Sequence, residues 1–417
     1  MHVAPNRWLG NSAWSVAGNG FYAFCQWLLL VVMARLGTSG MVGQFAMGLA
    51  VSAPVFLFAN LQIRAIQSTD VSDDHSFGEY LGLRLLTTAA AVLVLCGIVA
   101  IATYDTSLKR AILAIGLSKA IESISDVYHG NLQRQERMNA VACYLAMKGL
   151  GAVIVAAVLV KLSGSAFAAG AGMALVFAIV LWFGERRSAA GSRVRWNWPV
   201  FGRLIRMALP LGLVMMLISL TANMPRYFIE GRLGPGAVGV FAALSCLSIA
   251  GSTVVNGVGL AVTPRLSRFF VSGERGRFAG SVAQMSGLAL LAGIAGVGIL
   301  VLGGTPLLTL IYGPVYAARL DVAIGVMAAG AVSYVASVIG YGLTAARCFH
   351  QQLPLFALVT VATGVALWIL VPRYGLMGAV AAQLLGASVQ LICGAAILLS
   401  GLRRPALAMA VPAEAAA

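Results

Sequence analysis

The chain has 417 residues, of which 60% are hydrophobic and only 10% are charged, and its mean hydropathy is +0.91. This composition exceeds what a water-soluble core needs, so it excludes a soluble protein and predicts membrane-spanning helices. The formal net charge is +15, but the basic residues stand in short loops between apolar segments. That pattern orients membrane proteins and does not indicate binding to nucleic acid.

Twelve apolar segments follow one another along the chain. The first six lie near residues 12–35, 41–66, 79–103, 109–130, 139–162 and 166–184. The second six lie near residues 207–230, 236–262, 279–303, 316–346, 352–371 and 376–401. Pro54, Pro210 and Pro225 predict kinks within their segments. The sequence therefore predicts an all-α polytopic membrane protein.

A short motif occurs once in each half of the chain. Arg-Leu-Gly at 35–37, followed by Val-Gly-Gln-Phe-Ala at 42–46, returns as Arg-Leu-Gly at 232–234 and Val-Gly-Val-Phe-Ala at 238–242. Both copies fall between the first and second segments of their half. We therefore predict two parallel six-helix lobes, 1–184 and 207–417, joined by a basic linker at 185–206. A membrane protein built this way usually holds a site between its repeats and works by alternating access.

The distribution of Lys and Arg predicts the orientation of the chain. With the N-terminus in the cytoplasm, sixteen of the 28 basic residues fall on the cytoplasmic side, seven on the outer side and five within or at the edges of helices. This bias predicts that both termini are cytoplasmic. Arginine and tryptophan in the linker (193–198) indicate either anchoring at the lipid headgroups or specific lipid recognition.

Several short motifs resemble one family in their order and spacing. They are Asn11; Leu36-Gly37 through Val42-Gly43-Gln44-Phe45; Leu61-Gln62-Ile63-Arg64 with Ser68-Thr69-Asp70; Asn131-Leu132-Gln133-Arg134 with Arg137-Met138; Leu209-Pro210-Leu211-Gly212; Asn223-Met224-Pro225-Arg226-Tyr227-Phe228-Ile229; and Tyr374-Gly375 with Gly378-Ala379. Together they resemble the polysaccharide-transport branch of the multidrug/oligosaccharidyl-lipid/polysaccharide (MOP) exporter superfamily, the O-antigen and capsule flippases.

This resemblance implies a twelve-helix, two-lobed, V-shaped carrier in the bacterial inner membrane. It further implies a substrate of undecaprenyl-diphosphate-linked oligosaccharide, moved from the cytoplasmic to the outer leaflet. Proton or sodium coupling and contact with polysaccharide assembly proteins are further expectations.

The fourth segment carries the densest group of intramembrane charges. Lys119, Glu122 and Asp126 fall within roughly 60° of one helical face, and Lys148 lies near mid-depth in the fifth segment. Because charge inside a membrane is costly, such residues are candidates for function. In one interpretation, the lysines bind diphosphate or acidic sugars. Glu122 is then the first candidate to carry a proton, and Asp126 is the second. In the other, the four charges form a structural ion-pair cluster between two helices.

Other polar residues inside the segments are further candidates for substrate binding. They are Asn19, Asn60, Arg64, Arg84, Asn223 and Arg226. For the first-segment stripe that includes Asn19, lining a cavity and bonding to a neighbouring helix are equally open. Arg64 and Arg84 either bind in a cavity or extend to water at the helix end. Arg226 is expected either to serve a gate beside Pro225 or to pair with Glu230.

Motifs for hydrolysis or cofactor binding are missing from the sequence. There is no P-loop, H-E-x-x-H zinc motif or dinucleotide fingerprint, so we expect no enzyme, no cofactor and no metal site. The acidic loop Asp70, Asp73, Asp74 and His75 is expected to be solvated, with a helix cap.

Two alternatives to the flippase remain: a cation-coupled multidrug exporter of the same superfamily, and a membrane polysaccharide polymerase or glycosyltransferase. A basic interior argues against the first, and short outer loops argue against the second.

Overall fold

The computed structural model describes residues 5–69, 75–189 and 192–403, and the regular elements in these ranges are all helices. The all-α prediction is therefore confirmed. The aspartates of the acidic loop, Asp70, Asp73 and Asp74, lie outside the described residues.

Seven α-helices and a 3-10 turn form the first part of the chain. They are α1 (Pro5–Leu36), α2 (Ser39–Asn60), α3 (Ile63–Thr69), α4 (Phe77–Ile101), α5 (Thr106–Arg134), α6 (Met138–Ser163), α7 (Ala166–Phe183) and the 3-10 helix Glu185–Ala189. The second part contains α8 (Trp198–Val271), α9 (Arg275–Ile311), α10 (Pro314–Ala317), α11 (Leu320–Ala345) and α12 (Phe349–Arg403). Because α3 is a short extra helix, the fourth and fifth predicted segments are α5 and α6.

Three of the long helices contain one residue with non-helical backbone angles. These residues are Gly234 in α8, Gly303 in α9 and Gly375 in α12. Gly234 has a φ of 80° and Gly375 a φ of 57°, a region that glycine enters without the steric cost of a side chain. Both lie at predicted boundaries between apolar segments. The sharp break in α8 thus comes at the glycine of the repeated Arg-Leu-Gly motif.

The helices have the length and surface of membrane spans. Nine helices in the described part of the chain are long and apolar enough to cross a membrane. Dividing α8 and α12 at their glycines and adding the more polar α5 accounts for the twelve predicted segments. Large apolar side chains point outward, including Leu302 at 91% exposure and Ile101 at 86%. Surfaces of this kind require lipid, and helices satisfy their backbone groups internally there.

Short polar sequences fix the points at which helices begin. Thr38 accepts a hydrogen bond from the backbone nitrogen of Met41 at the start of α2. Asp105 accepts one from the backbone nitrogen of Leu108 at the start of α5, at 2.6 Å. Caps of this kind pair the free N–H groups of the first turn. They place the start of α5, and with it the charged residues about four to seven turns further along.

The chain divides into two compact units. The first contains residues 1–243 and 309–316, and the second contains 244–308 and 317–417. The core of the first unit joins α3, α4, α5 and the start of α8 around Ile63, Tyr80 and Phe201. The core of the second joins the end of α8 with α9, α11 and α12 around Phe278 and Val338. The predicted lobes at 1–184 and 207–417 follow the sequence repeat and stay a prediction.

The two copies of the repeated motif contact each other within the first unit. Gly43 on α2 lies against the backbone of Pro235, and Gly239 on α8 lies against the backbone of Ser39. A Cβ atom at either glycine would overlap a main-chain carbonyl. Gly43 follows Ser39 by four residues in α2, and Gly239 follows Pro235 by four residues in α8. The two contacts are therefore reciprocal.

Residues 309–316 join the first unit through α1. The guanidinium of Arg35 donates hydrogen bonds to the carbonyl oxygens of Ile311, at 3.0 Å, and Thr309, at 2.8 Å. The indole of Trp27 donates to the hydroxyl of Tyr312 at 2.9 Å. Arg35 therefore satisfies carbonyl groups that the last turn of α9 leaves without a helical partner.

Candidate functional site

A cavity of about 660 Å³ opens within the first unit, between α1, α2, α3, α5 and α6. This volume is in the range of small-molecule binding sites. Seven of the predicted site residues line it. They are Asn19, Asn60, Arg64, Lys119, Glu122, Asp126 and Lys148.

One face of α5 supplies the charged wall of this cavity. Besides Ser123, its lining residues are Lys119, Glu122, Asp126, His129 and Gln133, and these five are spaced alternately three and four residues apart. That spacing puts them in one row along the helix. Because exposure of the row to lipid would be costly, α5 turns it inward.

The N-terminal part of the row is the hydrogen-bonded pair of Lys119 and Glu122, which also contacts α1. The ammonium of Lys119 lies 2.7 Å from Oε2 of Glu122, and the hydroxyl of Tyr22 donates to Oε1 at 2.7 Å. The side chains of Lys119 and Glu122 are 23% and 30% exposed. Both charged groups are therefore paired and still accessible from the cavity.

Asp126 forms a bridge between two arginines from different helices. Its Oδ1 lies 3.3 Å from Nη1 of Arg64, and its Oδ2 lies 3.1 Å from Nη2 of Arg84. Arg84 and Ser123 both donate to the side-chain oxygen of Asn60. These contacts fix α2 and α4 against α5.

The two arginines have different positions relative to the cavity. Arg64 is 26% exposed, lines the cavity and also donates to Gln133 at 3.1 Å. Arg84 is fully buried and is not part of the lining. It therefore neither extends to water nor faces the cavity, but supports Asp126 and Asn60 from behind. In this structure its position fits a support for the binding surface, not direct contact with a ligand.

Lys148 pairs with a residue that the sequence placed in the linker. Its ammonium lies 2.6 Å from Oε1 of Glu185, and Nε2 of His129 lies 2.8 Å from the same oxygen. The side chains of Lys148, Glu185 and His129 are 1%, 0% and 5% exposed. In the ion-pair interpretation Lys148 would balance the carboxylates of α5, but its carboxylate partner here is Glu185, in the 3-10 helix that follows α7.

Asn223 and Arg226 lie on α8 and are not among the residues that line the cavity. Nη1 of Arg226 donates to the side-chain oxygen of Asn223 at 2.5 Å, and Asn223 donates to the carbonyl of Ser219 at 2.8 Å. This is a local network along one helix. Asn19 makes a similar local bond, to the carbonyl of Ser15 at 2.8 Å, but does line the cavity.

His129, Gln133 and Glu185 belong to the site and were not predicted from the sequence. His129 continues the three-and-four spacing of Lys119, Glu122 and Asp126, so the same periodicity could have found it. Glu185 carries no such signal, because it follows the end of α7 in the most polar stretch of the chain. Among the described residues, no group of three or more His, Cys, Asp or Glu side chains is arranged to hold a metal ion.

Comparisons with known proteins agree with this architecture. Residues 8–270 match the family model described as polysaccharide biosynthesis protein. The capsular polysaccharide biosynthesis protein CapF of Staphylococcus aureus is 22% identical over 381 residues, covering 88% of this chain and 93% of CapF.

Solved structures share the fold at low sequence identity. A multidrug resistance MATE family transporter of the MOP superfamily, in an inward-facing conformation, gives a TM-score of 0.70 at 11% identity, covering 93% of this chain and 98% of its own. The MATE transporter VcmN of Vibrio cholerae gives 0.62 at 14% identity, with coverages of 95% and 97%. A MOP transporter from Pyrococcus furiosus, described as having a binding pocket of reverse polarity, gives 0.61 at 15% identity, with coverages of 94% and 95%.

Proposed function

Because the chain belongs to the polysaccharide biosynthesis protein family and has the MOP transporter fold, we propose that it is a lipid-linked oligosaccharide flippase. In this proposal it moves undecaprenyl-diphosphate-linked repeat units from the cytoplasmic to the outer leaflet of a bacterial inner membrane by alternating access. The similarity to CapF supports a capsule-type glycan as cargo. The resemblance of the sequence to the flippase branch supports the same choice.

The observation that carries the proposal is the charge of the cavity. Three cations line it, Arg64, Lys119 and Lys148, against two carboxylates, Glu122 and Asp126. A diphosphate carries the same kind of oxygen acceptors as these carboxylates and can replace them as partners of the cations. A surplus of cations in a cleft attracts anions and repels cationic drugs.

Individual residues fit separate parts of such a substrate. Arg64 presents a planar guanidinium that suits bidentate binding of phosphate, while Lys119 supplies a point charge. Asn19 and Tyr22, on α1, offer hydrogen bonds to sugar hydroxyls. Arg84 supports the wall from behind, and Asn223 and Arg226 are proposed to contact substrate only in another conformation.

Glu122 is our first candidate for proton coupling, and Asp126 the second. When a phosphate forms an ion pair with Lys119, Glu122 loses its cationic partner inside the membrane. A buried carboxylate without a partner is neutralised by protonation. Substrate binding at Lys119 and proton uptake at Glu122 are linked by this exchange.

A cation-coupled multidrug exporter is the second candidate, because MATE transporters share the fold. The observation that favours this exporter is that two carboxylates, Glu122 and Asp126, lie on the cavity wall. In the described structure both of them are already paired with basic side chains, which favours the flippase.

The proposal is tested in cells that depend on this chain for surface polysaccharide. We expect Lys119→Ala and Lys148→Ala to abolish surface polysaccharide while lipid-linked precursor accumulates inside. Lys161→Ala is the matched control, because Lys161 lies on α6 like Lys148 but is exposed. Normal surface polysaccharide in both cavity variants, at normal protein levels, would contradict the proposed site.

A further inference from the structure

A buried network of three residues, His129, Glu185 and Lys148, adjoins the cavity. Oε1 of Glu185 lies 2.8 Å from Nε2 of His129, within hydrogen-bond distance, and 2.6 Å from the ammonium of Lys148, as an ion pair. The other oxygen, Oε2, is buried and has no hydrogen-bond partner. The charge of Glu185 therefore depends on the two groups that share Oε1.

The charges of this network balance in one protonation state. An ionised carboxylate accepts hydrogen bonds and cannot donate them, so Nε2 of His129 carries a hydrogen. With a neutral imidazole, Lys148 and Glu185 cancel each other and the buried network has no net charge. A protonated His129 beside both would leave one uncompensated positive charge, which is costly when buried.

Two of the three residues also reach the cavity. Lys148 and His129 belong to its lining, whereas Glu185 does not. The lysine stem is flexible and its ammonium is a compact charge, so Lys148 can turn from Glu185 to an anion in the cavity. Glu185 would then keep only a neutral hydrogen bond from His129.

We propose that His129, together with Glu185, is a proton-binding site that is loaded when a diphosphate in the cavity draws Lys148 away. The step takes one proton from solution and places it on Nδ1 of His129, while Nε2 keeps its hydrogen bond to Glu185. The imidazolium then replaces the ammonium as the cation beside Glu185. When the diphosphate leaves, Lys148 returns and the proton is released. This inference rests on the proposed function, since it needs a diphosphate in the cavity.

Other charged groups near His129 come from the surrounding elements. Arg64 on α3 acts on it electrostatically, as do Lys148 on α6 and Glu185 in the 3-10 helix. Asp126, one turn earlier on α5, is paired with both Arg64 and Arg84. Helix α7 contains no ionisable side chain. Arg64 and Arg84 both contact Asp126, whereas the cation beside Glu185 is Lys148, so the departure of Lys148 is the change that favours a cation at His129.

The experiment is calorimetric titration of the purified full-length protein with farnesyl diphosphate, a soluble prenyl diphosphate. Titration in two buffers of different ionisation enthalpy, at slightly alkaline pH, gives both the affinity and the number of protons exchanged. We expect His129→Asn to bind the probe and to take up about one proton fewer per bound diphosphate than the wild type. Glu122→Gln retains the His129 contribution, and His350→Asn, at an exposed histidine, is the matched control.

The outcomes separate this inference from the proposed function. Equal proton uptake in the wild type and in His129→Asn, with binding intact, overturns the proton site and leaves the flippase proposal standing. Failure of the wild type to bind the diphosphate overturns both.

A second measurement keeps His129 in place and therefore does not depend on whether the His129→Asn variant folds. In ¹⁵N-histidine spectra of protein in which the other three histidines are replaced, the ring nitrogens of His129 should shift from the neutral to the imidazolium pattern on addition of farnesyl diphosphate. An unchanged neutral pattern at saturating probe overturns the inference.

Discussion

Removing the charge of Glu185 is expected to destabilise the protein strongly. In Glu185→Gln the amide oxygen still accepts the hydrogen bond from His129, but Lys148, which is 1% exposed, loses its counter-charge. Breaking a buried ion pair by removing one partner costs about 3–5 kcal/mol, because the other charge is left uncompensated. If Lys148 is replaced as well, no charge is stranded. The double variant Lys148→Met/Glu185→Gln should therefore recover most of this loss.

The assay is reversible unfolding in mixed micelles of increasing SDS content, which gives the free energy of unfolding. We expect Glu185→Gln to lose about 3–5 kcal/mol and the double variant to lose less than about half of that. Lys161→Met removes an exposed lysine of α6 and should change the free energy by less than about 0.5 kcal/mol. A single variant as stable as the wild type, or a double variant less stable than the single, would refute the buried pair.

Three further predictions follow from the fold and the cavity. Gly43→Val should destabilise the protein by at least about 2 kcal/mol, because the side chain would overlap the backbone of α8, whereas Gly231→Val, with open space around it, should not; the same micelle assay decides. Glu122→Gln should separate substrate movement from the proton gradient while keeping binding, as read by substrate-induced pH change in proteoliposomes; an unchanged pH signal would assign coupling elsewhere. Reporter fusions after Arg187 and after Arg404 should both report the cytoplasm, and an outside signal from either would refute the topology.

The fold could be predicted from the sequence because it depends on local patterns. Long apolar segments determine helices in a membrane whatever their partners, and the turns between them are marked by residues such as Thr38 and Asp105. The break within α8 was also visible, since Gly234 belongs to the repeated motif. What the sequence did not predict was the reciprocal packing of Gly43 and Gly239, which depends on how distant helices cross.

The geometry of the candidate site could be predicted from the sequence where one helix determines it, and could not where several helices meet. The row on α5 follows from helical spacing alone, and its members do line a cavity. The partners of that row do not follow from spacing. Arg84 reaches Asp126 from α4, and Glu185 reaches Lys148 from beyond α7, so both pairings depend on tertiary contacts. Glu185, which the sequence assigned to the basic linker, is fully buried for this reason.

The central claim is tested most directly by lipid flipping in proteoliposomes. The substrate is a fluorescent undecaprenyl-diphosphate-linked oligosaccharide in both leaflets, and a membrane-impermeant quencher added outside reports the fraction that can cross. Liposomes containing the wild-type chain should lose nearly all of the fluorescence, whereas empty liposomes and those with Lys119→Ala should keep about half of it, the share of the protected inner leaflet. Protection of the inner leaflet by the wild-type protein as well, under an imposed proton gradient of either direction, would contradict the account.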